Sequence, residues 1–158
     1  MVADDNPTLS VIAISGEYER VHYALAMVAG ALAVGRKANL FLTHGAIRAL
    51  TRDAGGREGW KALPADAQAH DDQPTAGGIG DLDAGAVRDA ALRERGVGDF
   101  ETLLSACVEL GARIIVCEMG LRAQGIDAGS IRRDVPHEIA GIVTLLAATP
   151  AGAHLVTV

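Results

Sequence analysis

A strand, a helix and a second strand follow one another over residues 9–43, and this order limits the possible folds more than any other feature of the chain. The apolar run Leu9–Ile14 predicts the first strand, and Lys37–Thr43 predicts the second. Between them, Glu17–Val34 has apolar residues at helical spacing, acidic residues in its first turn and Gly35 at its end. A unit of this kind joins parallel strands by a right-handed crossover, so the sequence predicts an α/β fold.

Regular patterns resume after residue 98, where Asp99 is a good N-cap for a helix. We predict helices over residues 100–110, 119–124 and from 137 or 138 to 148, and strands over 112–117 and 154–158. A chain of 158 residues is long enough for one domain with a proper core. We therefore expect residues 1–158 to form a single α/β domain.

The segment Thr51–Gly98 differs in composition from the rest of the chain, with many Gly and Asp residues and few large apolar ones. We predict a loop insertion here, with one helix over residues 84–95. A long irregular segment inside a domain is either a functional lid or partly disordered. Trp60, the only Trp, is expected to anchor the insertion to the body or to a neighbouring subunit.

Composition and motifs argue against several classes of protein. The net charge is -6 and no dense run of Lys and Arg occurs, so we expect no nucleic-acid surface. The longest apolar stretch, residues 21–34, is too short to cross a bilayer, and no apolar signal segment opens the chain, which favours a cytoplasmic protein. No Walker, CxxC or HExxH motif is present, so we expect neither a metal nor another cofactor.

Cys117 is the one residue that supports a chemical hypothesis. It ends the predicted strand 112–117, and ligands of open α/β folds bind at the carboxyl ends of the strands. The following helix would stabilise a thiolate there, although an unreactive cysteine packed in the core is an equally ordinary interpretation. Cys107 lies in the preceding helix, about 10 Å lower and one layer away, too far for a disulfide with Cys117.

Other polar residues are predicted to reach the same edge of the sheet. Ser15 and Gly16 follow the first strand, and His44 follows the second, where it is either a base for the thiol or a solvated loop residue. Glu118 and Met119 come directly after Cys117. The helix 17–34 is apolar on nearly all sides, which favours an oligomer that covers it.

With these residues placed, the chain resembles the DsrE/DsrF-like (DsrEFH) family of sulfur-relay proteins over residues 9–50 and 99–158. The resemblance is most specific in the block Phe100–Ile126, which contains the helix, the strand ending in Cys117, and a short helix ending in Gly-Ile. It implies a three-layer α/β/α fold with a mainly parallel sheet of about five strands. It also implies a homo-oligomer, commonly a trimer or hexamer.

The resemblance further implies that Cys117 carries a persulfide and passes its sulfur to a partner. We therefore hypothesise a cytoplasmic sulfurtransferase or sulfur carrier that works with a donor and an acceptor protein. Its pocket is expected to be lined by Ser15, Gly16, His44, Glu118 and Met119, with the insertion 51–98 as a gate. The alternatives are a non-catalytic module that binds a small molecule, and a redox sensor in which Cys117 is oxidised.

Overall fold

The computed structural model describes residues 6–65 and 83–158. Five strands form one sheet in the order β4-β3-β2-β1-β5, and every neighbouring pair is parallel. The strands are β1 (Leu9–Ala13), β2 (Ala38–Leu42), β3 (Arg113–Cys117), β4 (Glu138–Ala140) and β5 (His154–Thr157). The prediction of an α/β fold with a parallel sheet of about five strands is confirmed.

The described helices lie on both sides of this sheet. They are α1 (Tyr18–Ala33), α2 (Ala84–Glu94), α3 (Phe100–Glu109), α4 (Glu118–Gln124) and α5 (Ile142–Ala147), with short 3-10 helices at His44–Leu50, Gly59–Ala62 and Ala128–Ser130. The Asp99 carboxylate accepts from the backbone N–H of Thr102 and caps α3, as its position in the sequence predicts.

The two faces of the sheet are covered to very different extents. On the side that we call the thick side, alternate strand residues such as Leu40 and Ile114 join α1, α3 and the 3-10 helix 44–50 in the main core. This core also covers the apolar surface of α1, because the sheet and α3 pack against it within one chain. Tyr23 on the same helix remains 63% exposed.

On the opposite side, which we call the thin side, a small cluster joins the sheet to α5. Its buried members are Phe41, Ile115, Cys117 and Leu145. A polar link holds the far end of α5, where the Asn39 side-chain amide donates to Ser10 Oγ, which in turn lies 2.8 Å from Thr149 Oγ1. Among the described helices, α5 alone packs in this cluster.

The prediction of one helix from residue 137 or 138 to 148 is wrong. Glu138–Ala140 is the edge strand β4, which pairs in parallel with β3. Gly141 follows in an extended conformation, and α5 begins only at Ile142. Pairing with β3 supplies backbone hydrogen bonds that outweigh the local helical pattern.

Within the described residues, the insertion 51–98 is attached to the thick side rather than free. Trp60 stacks on Phe100 with ring centroids 5.0 Å apart, and its indole N–H donates to Glu101 Oε1 at 2.7 Å. Trp60 therefore anchors the insertion to the body of its own chain. The glycines at 77–80 lie outside the described residues.

A buried carboxylate makes the second attachment of the insertion. Asp89 of α2 is 1% exposed and accepts hydrogen bonds from the Tyr18 hydroxyl at 2.5 Å and from the Phe100 backbone N–H at 2.7 Å. Arg93, one turn further along α2, donates to its other oxygen at 3.0 Å. Burial and the neighbouring Asp89 carboxylate raise the pKa of the Tyr18 hydroxyl, so it remains a donor. Asp89 thereby ties α2 to the starts of both α1 and α3.

Asp89→Ala tests this attachment. The substitution removes the acceptor from two buried donors and leaves Arg93 without this partner, so we expect the free energy of unfolding to fall by about 2–4 kcal/mol. Glu94→Ala, at an exposed position in the same helix, is the matched control and is expected to change stability by less than about 0.5 kcal/mol. Urea denaturation measures both; equal stabilities for the two variants would contradict the assignment.

Candidate functional site around Cys117

Cys117 occupies the junction between β3 and α4. It is the last residue of β3 and the N-cap of α4, and its sulfur accepts the backbone N–H of Gly120 at 3.4 Å. The side chain is 2% exposed and belongs to the thin-side cluster. The structure therefore places this thiol at the carboxyl edge of a parallel strand, held by a backbone donor.

Gly120 determines how closely α4 approaches the sheet. A Cβ atom at this position would lie 2.7 Å from Thr43 Oγ1 and 2.8 Å from the His44 backbone nitrogen. Because real Cβ atoms do not approach other atoms so closely, a residue other than glycine would force α4 away from the end of β2. This contact fixes the first turn of α4, and with it the N–H that points at the Cys117 sulfur.

The connections that follow β3 and β4 lie on opposite faces of the sheet. After β3 the chain passes into α4, whose Leu121 packs in the thick-side core. After β4 it passes into α5, whose Leu145 packs on the thin side. Cys117 and Ala140 are register partners at this point. Adjacent strands that connect to opposite faces open a crevice at their carboxyl ends, which is where open α/β folds bind ligands.

Three of the other predicted site residues lie at the ends of β1 and β2. The Ser15 hydroxyl donates to Glu17 Oε2 at 3.2 Å, and Gly16 lies against the backbone of Gly45. His44 is exposed, has a positive φ of 48°, and its ring Nδ1 lies 3.0 Å from Thr43 Oγ1. None of the side-chain hydrogen bonds described for these residues reaches the Cys117 sulfur.

The two predicted residues that follow Cys117 lie in the first turn of α4 and are exposed. Glu118 pairs with Arg122 across one turn at 2.5 Å, so the charge of Arg122 is directed at this carboxylate. Met119 is 65% exposed. Cys117 itself is buried in a cluster with Phe41, Ile115 and Leu145.

Two cavities lie near this edge, and each is lined by one of the predicted site residues, Gly16 in the first and Glu118 in the second. One, of about 430 Å³, is lined by Gly16, Glu17, Gly45, Arg48 and residues of the insertion. The other, of about 780 Å³, lies between α4 and β4 and is lined by Glu118, Leu121, Arg122, Ile139 and residues 125–128. The second cavity is beside the junction that holds Cys117, and no local sequence signal indicates the contribution from β4.

Cys107 is a different kind of cysteine. It is buried in the thick-side core, where its thiol donates to the Leu25 carbonyl at 3.4 Å. Burial raises the pKa of the Cys107 thiol to about 11. Both cysteines are free thiols, and they lie on opposite faces of the sheet.

Metal-ligand clusters and membrane-spanning helices are absent from the described part of the chain. Among residues 6–65 and 83–158, no group of three His, Cys, Asp or Glu side chains is placed to hold a metal ion. No helix in these two ranges has the length and apolar character needed to cross a membrane.

The fold and the position of Cys117 define a parallel five-stranded α/β protein. Its thiol lies where successive connections change from one face of the sheet to the other. Solved structures share this fold. The YchN protein from E. coli is similar at 15% sequence identity with a TM-score of 0.51, over 96% of this chain and 99% of that chain. A protein of unknown function from Methanobacterium thermoautotrophicum is similar at 13% identity with a TM-score of 0.51, over 98% and 100%. No protein-family model and no curated protein matches the chain. These likenesses establish the fold.

The raised pKa of Cys107 predicts its reactivity in Cys117→Ser protein. A thiol with a pKa of about 11, against a reference of 9.0, has about 100-fold less thiolate near pH 8. We expect alkylation to be at least about 100-fold slower in the native than in the unfolded protein, and to accelerate about tenfold per pH unit up to about pH 11. Because the folded pKa is the higher one, the stability that this thiol contributes is present below pH 9.0 and is lost as the pH rises through about 11. Equal alkylation rates in native and unfolded protein would contradict a raised pKa for Cys107.

Proposed function

We propose that this chain is a DsrE/DsrF-like sulfur carrier that accepts sulfur on Cys117 as a persulfide and passes it to an acceptor thiol. The observation that carries the proposal is the position of the Cys117 sulfur, which caps α4 in the crevice between β3 and β4. The resemblance over residues 9–50 and 99–158 supports the same function. The similar solved structures add the fold only.

The chemistry needs one thiolate and no external oxidant. The Cys117 thiolate attacks the outer sulfur of a donor persulfide, R–S–SH, and a new S–S bond forms as the donor S–S bond breaks. The donor leaves as a thiolate, R–S⁻, and Cys117 carries the transferred sulfur as Cys–S–SH. An acceptor thiolate then attacks that outer sulfur, and Cys117 leaves as the thiolate again. The Gly120 N–H already donates to this sulfur, and such a bond strengthens when its acceptor is charged.

Access to the buried sulfur comes from the thin side in this proposal. The described part of the insertion is fixed on the thick side, away from the cluster that covers Cys117. The cover is light, since α5 has six residues and buries only Leu145. A short helix with one buried side chain opens at lower free energy than the whole domain, so the donor reaches Cys117 by local opening of α5.

The remaining predicted residues receive roles that follow from their positions. Ser15, Gly16 and His44 lie at the neighbouring strand ends, and Glu118 and Met119 lie beside Cys117, so they contact the donor and acceptor proteins. The proposal includes a homo-oligomer, as a trimer or hexamer, and a cytoplasmic location. Both come from the resemblance and the composition of the chain.

One observation favours a second candidate function. Cys117 is 2% exposed among apolar side chains, which suits a packed thiol in a protein that binds a small molecule in the adjacent cavity of about 780 Å³. In that case native Cys117 reacts only slowly with a thiol reagent. A redox sensor differs from both candidates, because peroxide would then oxidise Cys117 to a sulfenic acid or to an intersubunit disulfide. A non-reducing gel detects the disulfide.

Intact-mass measurement after incubation with a persulfide donor tests the carrier function. We expect an adduct of one sulfur atom, about 32 Da, on the native protein, because persulfidation adds sulfur to a thiolate. The adduct is expected to survive in Cys107→Ser and to be absent in Cys117→Ser.

Adding a small acceptor thiol then completes the cycle. The adduct is expected to disappear and the acceptor to gain one sulfur. Failure to form the adduct with several classes of donor, in protein that remains folded, would contradict the carrier function. An adduct that persists in Cys117→Ser would place the chemistry on another residue.

A further inference from the structure

A cavity of about 530 Å³ lies at the amino ends of the strands, where β2 and β3 begin. Asn39 of β2 and its register partner Arg113 of β3 line it, together with Arg36 and Lys37 from the connection between α1 and β2. Cys117 is at the other end of β3, about 13 Å from Arg113 along the strand. This cavity is therefore separate from the crevice that holds the thiol.

The charged residues that line this cavity all carry positive charge. Arg36, Lys37 and Arg113 contribute the cations, and none of the described residues in the lining is Asp or Glu. The whole chain has 20 acidic residues against 14 Lys and Arg, so the lining reverses the overall balance. Arg113 also pairs with Glu138, which is not among the lining residues. A concave site with walls of one sign attracts ligands of the opposite charge, here an anion.

Arg36 is held in a fixed position while its charge is left without a carboxylate. Its Nε donates to the Pro7 carbonyl at 2.7 Å, and its Nη2 lies 2.9 Å from His154 Nδ1. Because a guanidinium can only donate, the His154 nitrogen is the acceptor. Within residues 6–65 and 83–158, no carboxylate pairs with Arg36. These two contacts leave Nη1 for a ligand, and a fixed guanidinium suits the oxygens of a phosphate or carboxylate.

Asn39 supplies a second polar group that the chain does not fully use. The residue is 6% exposed, and its amide nitrogen donates to Ser10 Oγ and to the Ala148 carbonyl. Since that carbonyl can only accept, the nitrogen and oxygen of the Asn39 amide are assigned unambiguously. Neither of these hydrogen bonds uses the Asn39 oxygen, and a buried acceptor normally has a partner. A hydroxyl or amine donor on a ligand would supply one.

The helix ends at this edge offer a competing explanation for the positive charge. Gly35 follows α1 and Gly111 follows α3, and both line the cavity, where cations balance the partial negative charge of helix C-termini. That effect explains neither the cavity nor the Asn39 oxygen. The volume is far larger than a bare ion needs and falls in the range of small-molecule sites. Leu32 and Leu110 add apolar walls for the body of such a molecule.

We propose that this cavity binds a small phosphomonoester with a hydroxylated body, of the sugar phosphate class. The phosphate, with a charge of about −1.5 to −2 at pH 7, lies against Arg36, Lys37 and Arg113, and a hydroxyl of the same molecule donates to the Asn39 oxygen. A doubly charged phosphate interacts more strongly with several cations than a single carboxylate does. The site does not depend on sulfur transfer, because Cys117 lies at the opposite end of the strands.

Calorimetric titration of the wild-type protein with ribose 5-phosphate tests the site. We expect saturable binding at least about tenfold tighter than that of inorganic phosphate, because the hydroxylated body adds a hydrogen bond and contacts of its own. Ribose, which lacks the charge, is expected not to bind. Gluconate, which combines hydroxyls with a carboxylate, is expected to bind at least about threefold more weakly than ribose 5-phosphate.

Arg36→Gln removes the guanidinium and is expected to weaken ribose 5-phosphate binding at least about tenfold. Arg133→Gln removes the same charge at an exposed position outside the cavity lining, and is the matched control, with affinity expected within about twofold of the wild type. Circular dichroism confirms that both variants are folded. Cys117→Ser is expected to bind as the wild type does, which keeps this result distinct from the persulfide experiment.

Amide chemical shifts of labelled wild-type protein locate the bound ligand, and they decide the question even where Arg36→Gln does not fold. Ribose 5-phosphate is expected to shift the amides of Gly35, Gly111 and Arg113. No saturable binding up to about 10 mM, or shifts centred instead on Gly120, would overturn the proposal. Unchanged affinity in a folded Arg36→Gln protein would overturn it too, and so would gluconate or inorganic phosphate binding as tightly as ribose 5-phosphate.

Discussion

The parallel pairing of β3 with β4 is the constraint on which the candidate site depends. It places Cys117 beside Ala140, and the chain then departs to opposite faces of the sheet. Without β4, Cys117 would end an edge strand and no crevice would separate α4 from α5. The contact of Gly120 with Thr43 and the His44 backbone completes the arrangement, because it sets the first turn of α4 against the neighbouring strand end.

The two faces of the sheet are covered to very different extents, and the proposed sulfur chemistry uses the thinly covered one. Most of the core lies on the thick side, together with Cys107 and the attachments of the insertion through Trp60 and Asp89. The thin side has a small cluster under one short helix, and that cluster contains Cys117. Low local stability is expected where few apolar side chains are buried, and sites that must open are drawn from such regions.

Local patterns in the sequence are enough to predict β1, α1, β2, α3 and β3. Each has the right periodicity or a recognisable end, such as Asp99 at the start of α3. The strand β4 escapes prediction because Glu138–Ala140 is too short to show alternation, and its structure comes from pairing with residues more than twenty positions away. The contact between Tyr18 and Asp89 is equally hidden, since it joins parts of the chain 71 residues apart. Gly120 does leave a signal, because glycine is a poor helix former in the first turn of a helix.

The proposed sulfur transfer requires that native Cys117 becomes accessible by local opening of α5. The most direct test is the rate at which a thiol reagent modifies Cys117 in Cys107→Ser protein, measured at urea concentrations well below the unfolding transition. Because local opening exposes little surface, we predict a rate that hardly changes with urea. A rate that rises with urea as steeply as the equilibrium constant for global unfolding would contradict local opening, because Cys117 would then react only in the unfolded chain.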